Sequence, residues 1–423
     1  MNTMPWTDQR TPALAIVARG DQITRQDTDH FTVQSQSRPE KSYAVVVETD
    51  HASCDCDHNK DAHRDCIHIL AARYWLEVQE KTPEGPKTER VRITHKQAWT
   101  AYNAAQADEV RLFDVLLSDL TQGIQEPAHG AMGRPCLPLR EQAFCAIQKV
   151  YSQLSSRRAR SLFGYAEGRG QIGHAPHFNV SSKFLNRADA TPLLRGLVHE
   201  TALPLAELET RFAIDSTGFR TTSFGSYCQE KHGEKAKNVW LKAHLSTGTR
   251  THIVTDVIVT GSAGEGSGDT SNFAPLVKGT SDAGFIVAEV SADKAYSSRA
   301  NHDAAGALGA ETYIAFKSNA SGKSGGSPLW RKAFHFFQLH RDEFEAHYHK
   351  RSNVESTIGA IKKKLGETLK SRNRVAQENE LLAKVVAYNI TVLIHEMHEN
   401  GINPEWLHPK SESCTFSPTK EGL

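Results

Sequence analysis

The sequence predicts an α/β protein: a mixed five-stranded sheet with flanking helices, preceded by a helical region and a small ββα module held by cysteine and histidine. Three observations carry this prediction. From residue 211 onward, apolar runs and helical periods alternate as strand, strand, strand, helix, strand, helix, strand. Nearer the N-terminus, a hairpin pattern runs into Cys54-Asp-Cys56 and then Cys66-Ile-His68 at the start of a helix. Between Tyr348 and Lys362, the stretch YHKRSNVESTIGAIK is amphipathic at a helical period.

At 423 residues the chain is long enough for roughly two or three domains. Its 39% hydrophobic and 23% charged residues are ordinary globular composition. No apolar run approaches the roughly 18 residues of a membrane span. The start, MNTMPWTDQRTPALAIVARGDQ, lacks the basic segment and long apolar core of a signal peptide, so a cytoplasmic location is expected. A net charge of +1 gives no global pull on a polyanion, and any basic surface has to be local. Seven cysteines, an odd number, argue against a disulfide framework.

Residues 1–29 are polar without clear periodicity and read as a mobile arm. Residues 30–80 form the cysteine–histidine module, with strands at 30–36 and 42–48 joined by the turn SRPEK. Cys54, Cys56, Cys66 and His68 supply three thiolates and one imidazole, a closed tetrahedral set for a structural Zn²⁺. His51, His58 and His63 lie nearby but do not fit the paired spacing. Read without a metal, the four are reduced cysteines and a surface histidine.

Residues 81–96 are charged and hold Pro and Gly, which suits a linker. Residues 97–210 read as helical: a helix over 97–122, a break at EPAHGAMGRPCLPLR, and a helix over 139–162 ending in Arg157, Arg158 and Arg160. Short helices follow to Leu208, with a Ser-Ser-Lys turn at 181–183. Gly133-Arg134-Pro135 has the form of a minor-groove arginine segment but reads as plain linker.

The sheet domain spans 211–400, and the tail over 401–423 is polar. RFAID (211–215) is a short strand ending in Asp215. Strands follow at 238–244 and 252–260, then a helix at 272–281. A buried strand at 285–290 runs to Asp293, and a helix at 298–308 leads to a strand at 312–317. Alone, either acid is as readily a turn-former or a helix cap. In the stretch from Tyr348, the residues Val354, Ile358, Ile361 and Leu365 form the apolar stripe. Tyr348, Arg351, Glu355 and Lys362 fall within roughly 60° of one another beside it. Taken alone, that face is also consistent with an Arg351–Glu355 pair on a solvated helix. Lys350, Lys362, Lys363, Lys364, Lys370, Arg372 and Arg374 add a local basic excess against Glu355 and Glu367. The last long helix covers 378–399.

The spacing Tyr-x2-Arg-x3-Glu-x6-Lys resembles the signature of insertion-sequence DDE transposases, whose catalytic domain is RNase H-like. The motifs IDSTGF and ADKAY supply the two aspartates such a protein needs, and the resemblance covers about residues 131–400. It implies that Asp215, Asp293 and Glu355 are catalytic and hold two Mg²⁺ or Mn²⁺ per active site, with Asp215 bridging both. It implies metal-dependent strand cleavage at transposon ends and transfer of the 3′-OH to target DNA. Tyr348, Arg351, Lys362, Lys363 and Lys364 would then contact double-stranded DNA. A homodimer assembled on DNA, a nucleoid-associated cytoplasmic location and no membrane partner follow from the same resemblance. The hairpin with Cys-x-Cys and Cys-x-His resembles the SWIM zinc finger, which implies a recognition module. The helical region resembles the helix-turn-helix-like segment that precedes such catalytic domains. Two other readings remain open: a transposase-derived DNA-binding regulator with an idle nuclease centre, and a structure-specific nuclease.

Overall fold

The computed structural model describes residues 13–406 apart from 15, 18–21, 36–37, 39–40, 49–50, 58, 60–64, 82–97, 128–135, 222–239, 263, 265, 324 and 405. The chain divides into two compact units, Met1–Gln97 and Ala98–Leu423. The linker expected over 81–96 lies almost wholly outside the described residues, as does the Gly133-Arg134-Pro135 segment.

The first unit is an antiparallel sheet of β1 (Ile23–Arg25), β2 (His30–Gln34), β3 (Ser42–Val47) and β4 (Ala52–Cys54), in that order. Helix α1 (Ile67–Lys81) packs on it. The strand period of two puts Phe31 and Val33 of β2, and Tyr43 and Val45 of β3, on the buried face. Ile69 and Ala72 of α1 close over them. The expected ββα hairpin therefore gains two edge strands. Each is only three residues long, too short for alternation to show in the sequence. Of the mobile arm expected over 1–29, Ala13 and Ile16 are fully buried in this core and β1 pairs with β2, while residues 1–12 lie outside the described residues.

The second unit opens with helices α2 (Trp99–Gln122), α3 (Leu139–Ser152), α4 (Ser156–Gly168), α5 (Val180–Leu185) and α6 (Ala190–Ala202). Here the structure departs from the single helix expected over 139–162. Gln153 takes a left-handed conformation (φ 56°, ψ 10°) and ends α3, and extended Ser155 starts α4. The expected turn at 181–183 is instead inside α5.

The sheet follows: β5 (Arg211–Arg220), β6 (Trp240–Gly248) and β7 (Val254–Gly261), then α7 (Asp269–Asp282), β8 (Glu289–Ala292), α8 (Arg299–Ala307) and β9 (Glu311–Ile314). Its order is β7-β6-β5-β8-β9, with β5 antiparallel to β6 and parallel to β8. This mixed five-stranded sheet with flanking helices is the predicted architecture. The strand expected from Phe285 begins at Glu289, because residues 285–288 bury Phe285 and Val287 without joining a ladder. After β9 come α9 (Pro328–Leu339), α10 (Arg341–Tyr348), a 3₁₀ turn (His349–Arg351), α11 (Ser352–Leu365) and α12 (Arg374–Asn400).

Helix α12 is buried nearly all round and packs on α2, α3, α5, α6, α11 and β7. Its buried polar residues are bonded, as burial requires. Asn379 donates to the carbonyls of Leu185 (2.9 Å) and Arg187 (2.8 Å). Asn389 accepts from the Val254 amide (3.0 Å) and donates to the Val254 carbonyl (2.8 Å). The helical region and the sheet thus share one core. The polar tail expected from 401 begins with Pro404 and Trp406 buried, and residues 407–423 lie outside the described residues.

Candidate active site and metal-binding cluster

The strand expected to end in Asp215 runs on to Arg220, because β6 continues to pair with it and Asp215 lies opposite Leu245. Strands β5 and β8 pair in parallel with Ile214 opposite Ala292, so Asp215, inside β5, and Asp293, one residue past the end of β8, come side by side. Adjacent strands lie about 4.8 Å apart, which sets the scale of the opening between the two acids. Each carboxylate is held by the amide that follows it. Asp215 accepts from Ser216 N–H at 2.8 Å, and Asp293 accepts from Lys294 N–H at 2.6 Å as cap of a 3₁₀ turn.

Glu355 comes from α11, and the fold fixes that helix from the opposite face. Val354, Ile361 and Leu365 are buried. Asn353 donates to the Thr249 carbonyl (2.7 Å), and the His252 ring meets Thr357 Oγ1 at 3.2 Å. Glu355, about 100° round the helix from Val354, is exposed. Arg351 joins the strands to the helix: its guanidinium donates to Asp215 at 3.2 Å and to Glu355 at 2.6 Å. Burial raises the pKa of Asp215, the Ser216 amide and Arg351 lower it, and the charges of Glu355 and Asp293 raise it further. The three acids therefore face one electrostatic neighbourhood.

The expected single helix from Tyr348 is broken. Tyr348 ends α10, Arg351 ends the 3₁₀ turn, and Glu355 sits in α11. Tyr348 is half-buried, its ring 5.6 Å from Phe344 and 5.9 Å from the Arg351 guanidinium. His347, bonded to Glu289 at 2.8 Å and stacked on Tyr313 at 4.3 Å, anchors this turn on the sheet.

The basic residues divide. Lys362 lies over the Phe219 ring at 5.4 Å, and burial lowers its pKa. Lys363 is exposed. Lys364 turns inward and binds Glu109 of α2 at 2.5 Å, and Glu109 also accepts from Tyr151 at 2.8 Å. Lys364 therefore ties α11 to the helical region. Trp330 is buried against His302 and Phe316, packed rather than free to stack on a base.

Sequence reading missed the residues behind Asp215. Ser216 donates to Asp269 at 2.8 Å, and Lys242 meets the same carboxylate at 2.7 Å. Alternation along β5 sends Ser216 to the other face from Asp215. That was the available signal, since IDSTGF places a hydroxyl directly after the acid.

As a donor set, three carboxylates are what hard divalent cations take. Among the described residues, one group of His, Cys, Asp or Glu donor atoms lies within 4.8 Å of one another, and it is in the first unit: Cys54, Cys56, Cys66 and His68, all buried. The acids of the second unit are more widely spread, with Arg351 between two of them. In the cysteine cluster, His68 Nδ1 lies 3.9 Å from Cys54 Sγ and 3.8 Å from Cys66 Sγ. A tetrahedral zinc with bonds of about 2.0–2.3 Å has ligand-to-ligand edges of roughly 3.5–3.8 Å. The cluster is compatible with zinc.

Residues 207–390 match the family model for the transposase DDE domain. The match supports a DDE-type transposase. Such an enzyme has DNA as its substrate and uses divalent metals. All three acids and the residues from Tyr348 to Lys364 fall inside the matched segment. No solved structure matches the chain. No helix among the described residues is long and apolar enough to cross a membrane.

Proposed function

We propose that the chain is a DDE transposase that cleaves DNA strands at the ends of a mobile element and joins the freed 3′-OH to target DNA. The observation that supports this most is the juxtaposition of Asp215, in β5, and Asp293, just past the end of the adjacent parallel strand β8, with Arg351 linking Asp215 to Glu355. Asp215, Asp293 and Glu355 would hold the divalent cations. When bound there, Mg²⁺ or Mn²⁺ supplies activation of a water or 3′-hydroxyl and stabilisation of the leaving oxygen in an in-line displacement at phosphorus. Arg351, Tyr348 and Lys362 would position the strand, with Lys363 on the phosphate backbone. Cys54, Cys56, Cys66 and His68 would hold a structural Zn²⁺ in a SWIM-like recognition module covering 30–80. Residues 97–210 would carry DNA recognition, and 211–400 the RNase H-like chemistry. A dimer assembled on DNA completes the reading.

The test is a plasmid carrying the gene with its natural flanks, incubated with the whole chain. Cleavage at the flanks and joined products are expected in Mg²⁺ or Mn²⁺ and not in EDTA. Binding to the flanks without any cleavage in Mg²⁺ would replace the enzyme by the regulator. Cleavage without joining would favour the nuclease.

The inward turn of Lys364 gives a second expected result. Lys363→Ala should reduce the dependence of DNA binding on salt by about one phosphate contact, because it releases counterions without reading bases. Lys364→Ala should leave the salt slope unchanged and lower stability, because Glu109 stays buried without its cation. Salt-titrated binding and thermal melting separate the two. A reduced salt slope in Lys364→Ala would return that lysine to the DNA surface.

A further inference from the structure

The break at Gln153 makes α3 and α4 a pair of helices joined by three residues, 153–155, with a left-handed residue at the first. That is the connection of a helix-turn-helix, in which the first helix supports and the second enters the major groove. The burial of the two helices differs in the same sense. α3 is enclosed over most of its length. α4 buries only Ala159, Phe163 and Ala166, one narrow stripe.

Helical geometry at about 100° per residue puts Arg157, Ser161, Gly164, Tyr165 and Gly168 opposite that stripe, with Arg158 and Arg160 on its two flanks. Tyr165 is 66% exposed. Arg157, Arg158 and Arg160 make no ion pair with a carboxylate among the described residues, and Arg157 rests 5.4 Å from the Phe178 ring. The acid of this helix, Glu167, is engaged by His174 at 3.2 Å. The first turn holds no acid, so its arginines sit at the end of the helix dipole that disfavours cations. Among the described residues, the Phe178 ring beside Arg157 is an offsetting contact, and no carboxylate pairs with the three arginines.

The glycines are a separate observation. A Cβ at Gly168 would meet nothing within 4 Å, and at Gly164 only the Arg160 guanidinium at 3.6 Å. Glycine inside a helix costs about 1 kcal/mol relative to alanine, and no internal contact requires it at 164. A partner that approaches the helix backbone closely would.

We infer that α4 is the helix that reads duplex DNA, lying in the major groove with Arg157, Ser161 and Tyr165 toward base edges and Arg158 and Arg160 on the phosphates at either side. The inference rests on the transposase reading and names the surface that recognises the ends. The groove is about 12 Å wide and admits one helix. Arginine and serine are suited to base edges, and the missing Cβ at Gly164 allows the helix to seat.

The test is selection from a random-sequence duplex DNA pool by the whole chain in Ca²⁺, followed by binding of the selected duplex. Wild type should select a short consensus. Gly164→Leu should bind that duplex at least about 100-fold more weakly while melting no lower than wild type, since leucine favours the helix. Tyr165→Ala should relax preference at one or two base positions. Arg158→Ala and Arg160→Ala should weaken selected and unselected duplexes alike and lower the salt slope. Wild-type affinity of Gly164→Leu for the selected duplex would overturn the inference, as would a wild type that selects no consensus from the pool. Cleavage in Mg²⁺ by a Gly164→Leu protein that keeps the consensus would leave the transposase reading standing and remove α4 alone. A consensus lost with Gly164→Leu, in a wild type that never cleaves, would keep α4 and remove strand transfer.

Discussion

Glu355→Gln is expected to lower strand cleavage by roughly three orders of magnitude or more while the chain stays folded and bound to DNA. Glutamine keeps the shape and helix propensity of the side chain and removes the charge that would hold a cation. The cost to the fold should be small. Glu355 is exposed, and its ion pair with Arg351 is an i,i+4 contact on a helix, of a kind that contributes little. Binding should persist or tighten, because a negative charge next to a phosphate has gone. Asp215→Asn and Asp293→Asn should behave alike, and combined substitutions should add little, as for residues acting as a unit. The control is Glu367→Gln, whose side chain is exposed and pairs with Arg220 at 3.4 Å away from the trio. Nicking of a labelled flank fragment in Mg²⁺, with binding followed in Ca²⁺, reads both effects. Wild-type nicking by Glu355→Gln would take α11 out of the active site.

The second large effect concerns the cysteine cluster. Freshly purified protein should carry about one zinc per chain, since four ligands close a structural site. Cys66→Ser or Cys54→Ser should release it and unfold the first unit, leaving the melting of the second unchanged. Zinc binding to small structural sites is worth roughly 10–16 kcal/mol, as much as a whole domain's typical stability of about 5–15 kcal/mol. Acid should release the metal too, because the ligands bind as thiolates and neutral imidazole. Within the cluster, the hydrogen bond from the Cys54 thiol holds the Cys66 thiol well below its usual range and Cys54 correspondingly high. Metal analysis of wild type that finds no zinc would defeat the reading, as would a Cys66→Ser chain whose first unit melts normally.

The sheet and its acids were legible because apolar strands are written locally. FAI before Asp215 reads as a buried run whatever surrounds it, and the apolar run from Phe285 marked the strand before Asp293, although the ladder itself falls at Glu289–Ala292. The ligand spacing of Cys54, Cys56, Cys66 and His68 was legible for the same reason. Breaks in helices were not. Across Gln153 no glycine or proline interrupts the helical period, and only the tertiary fold puts that residue in the left-handed region. The 3₁₀ turn at His349–Arg351 likewise keeps a helical pattern while shifting Tyr348 and Arg351 off α11. Partner choice was equally hidden. Nothing near Lys364 in the sequence announces Glu109, and nothing near Ser216 announces Asp269.

Helix α12 has a consequence for how the chain comes into being. It follows every other described helix and strand in the chain, yet α2, α3, α5 and α6 close their core on it. A nascent chain that has not reached residue 374 holds those helices with a face of their core uncovered, and domains completed during synthesis are those whose contacts have already emerged. The arginine-bearing surface of α4 and the acids of the sheet therefore mature together, once α12 has emerged.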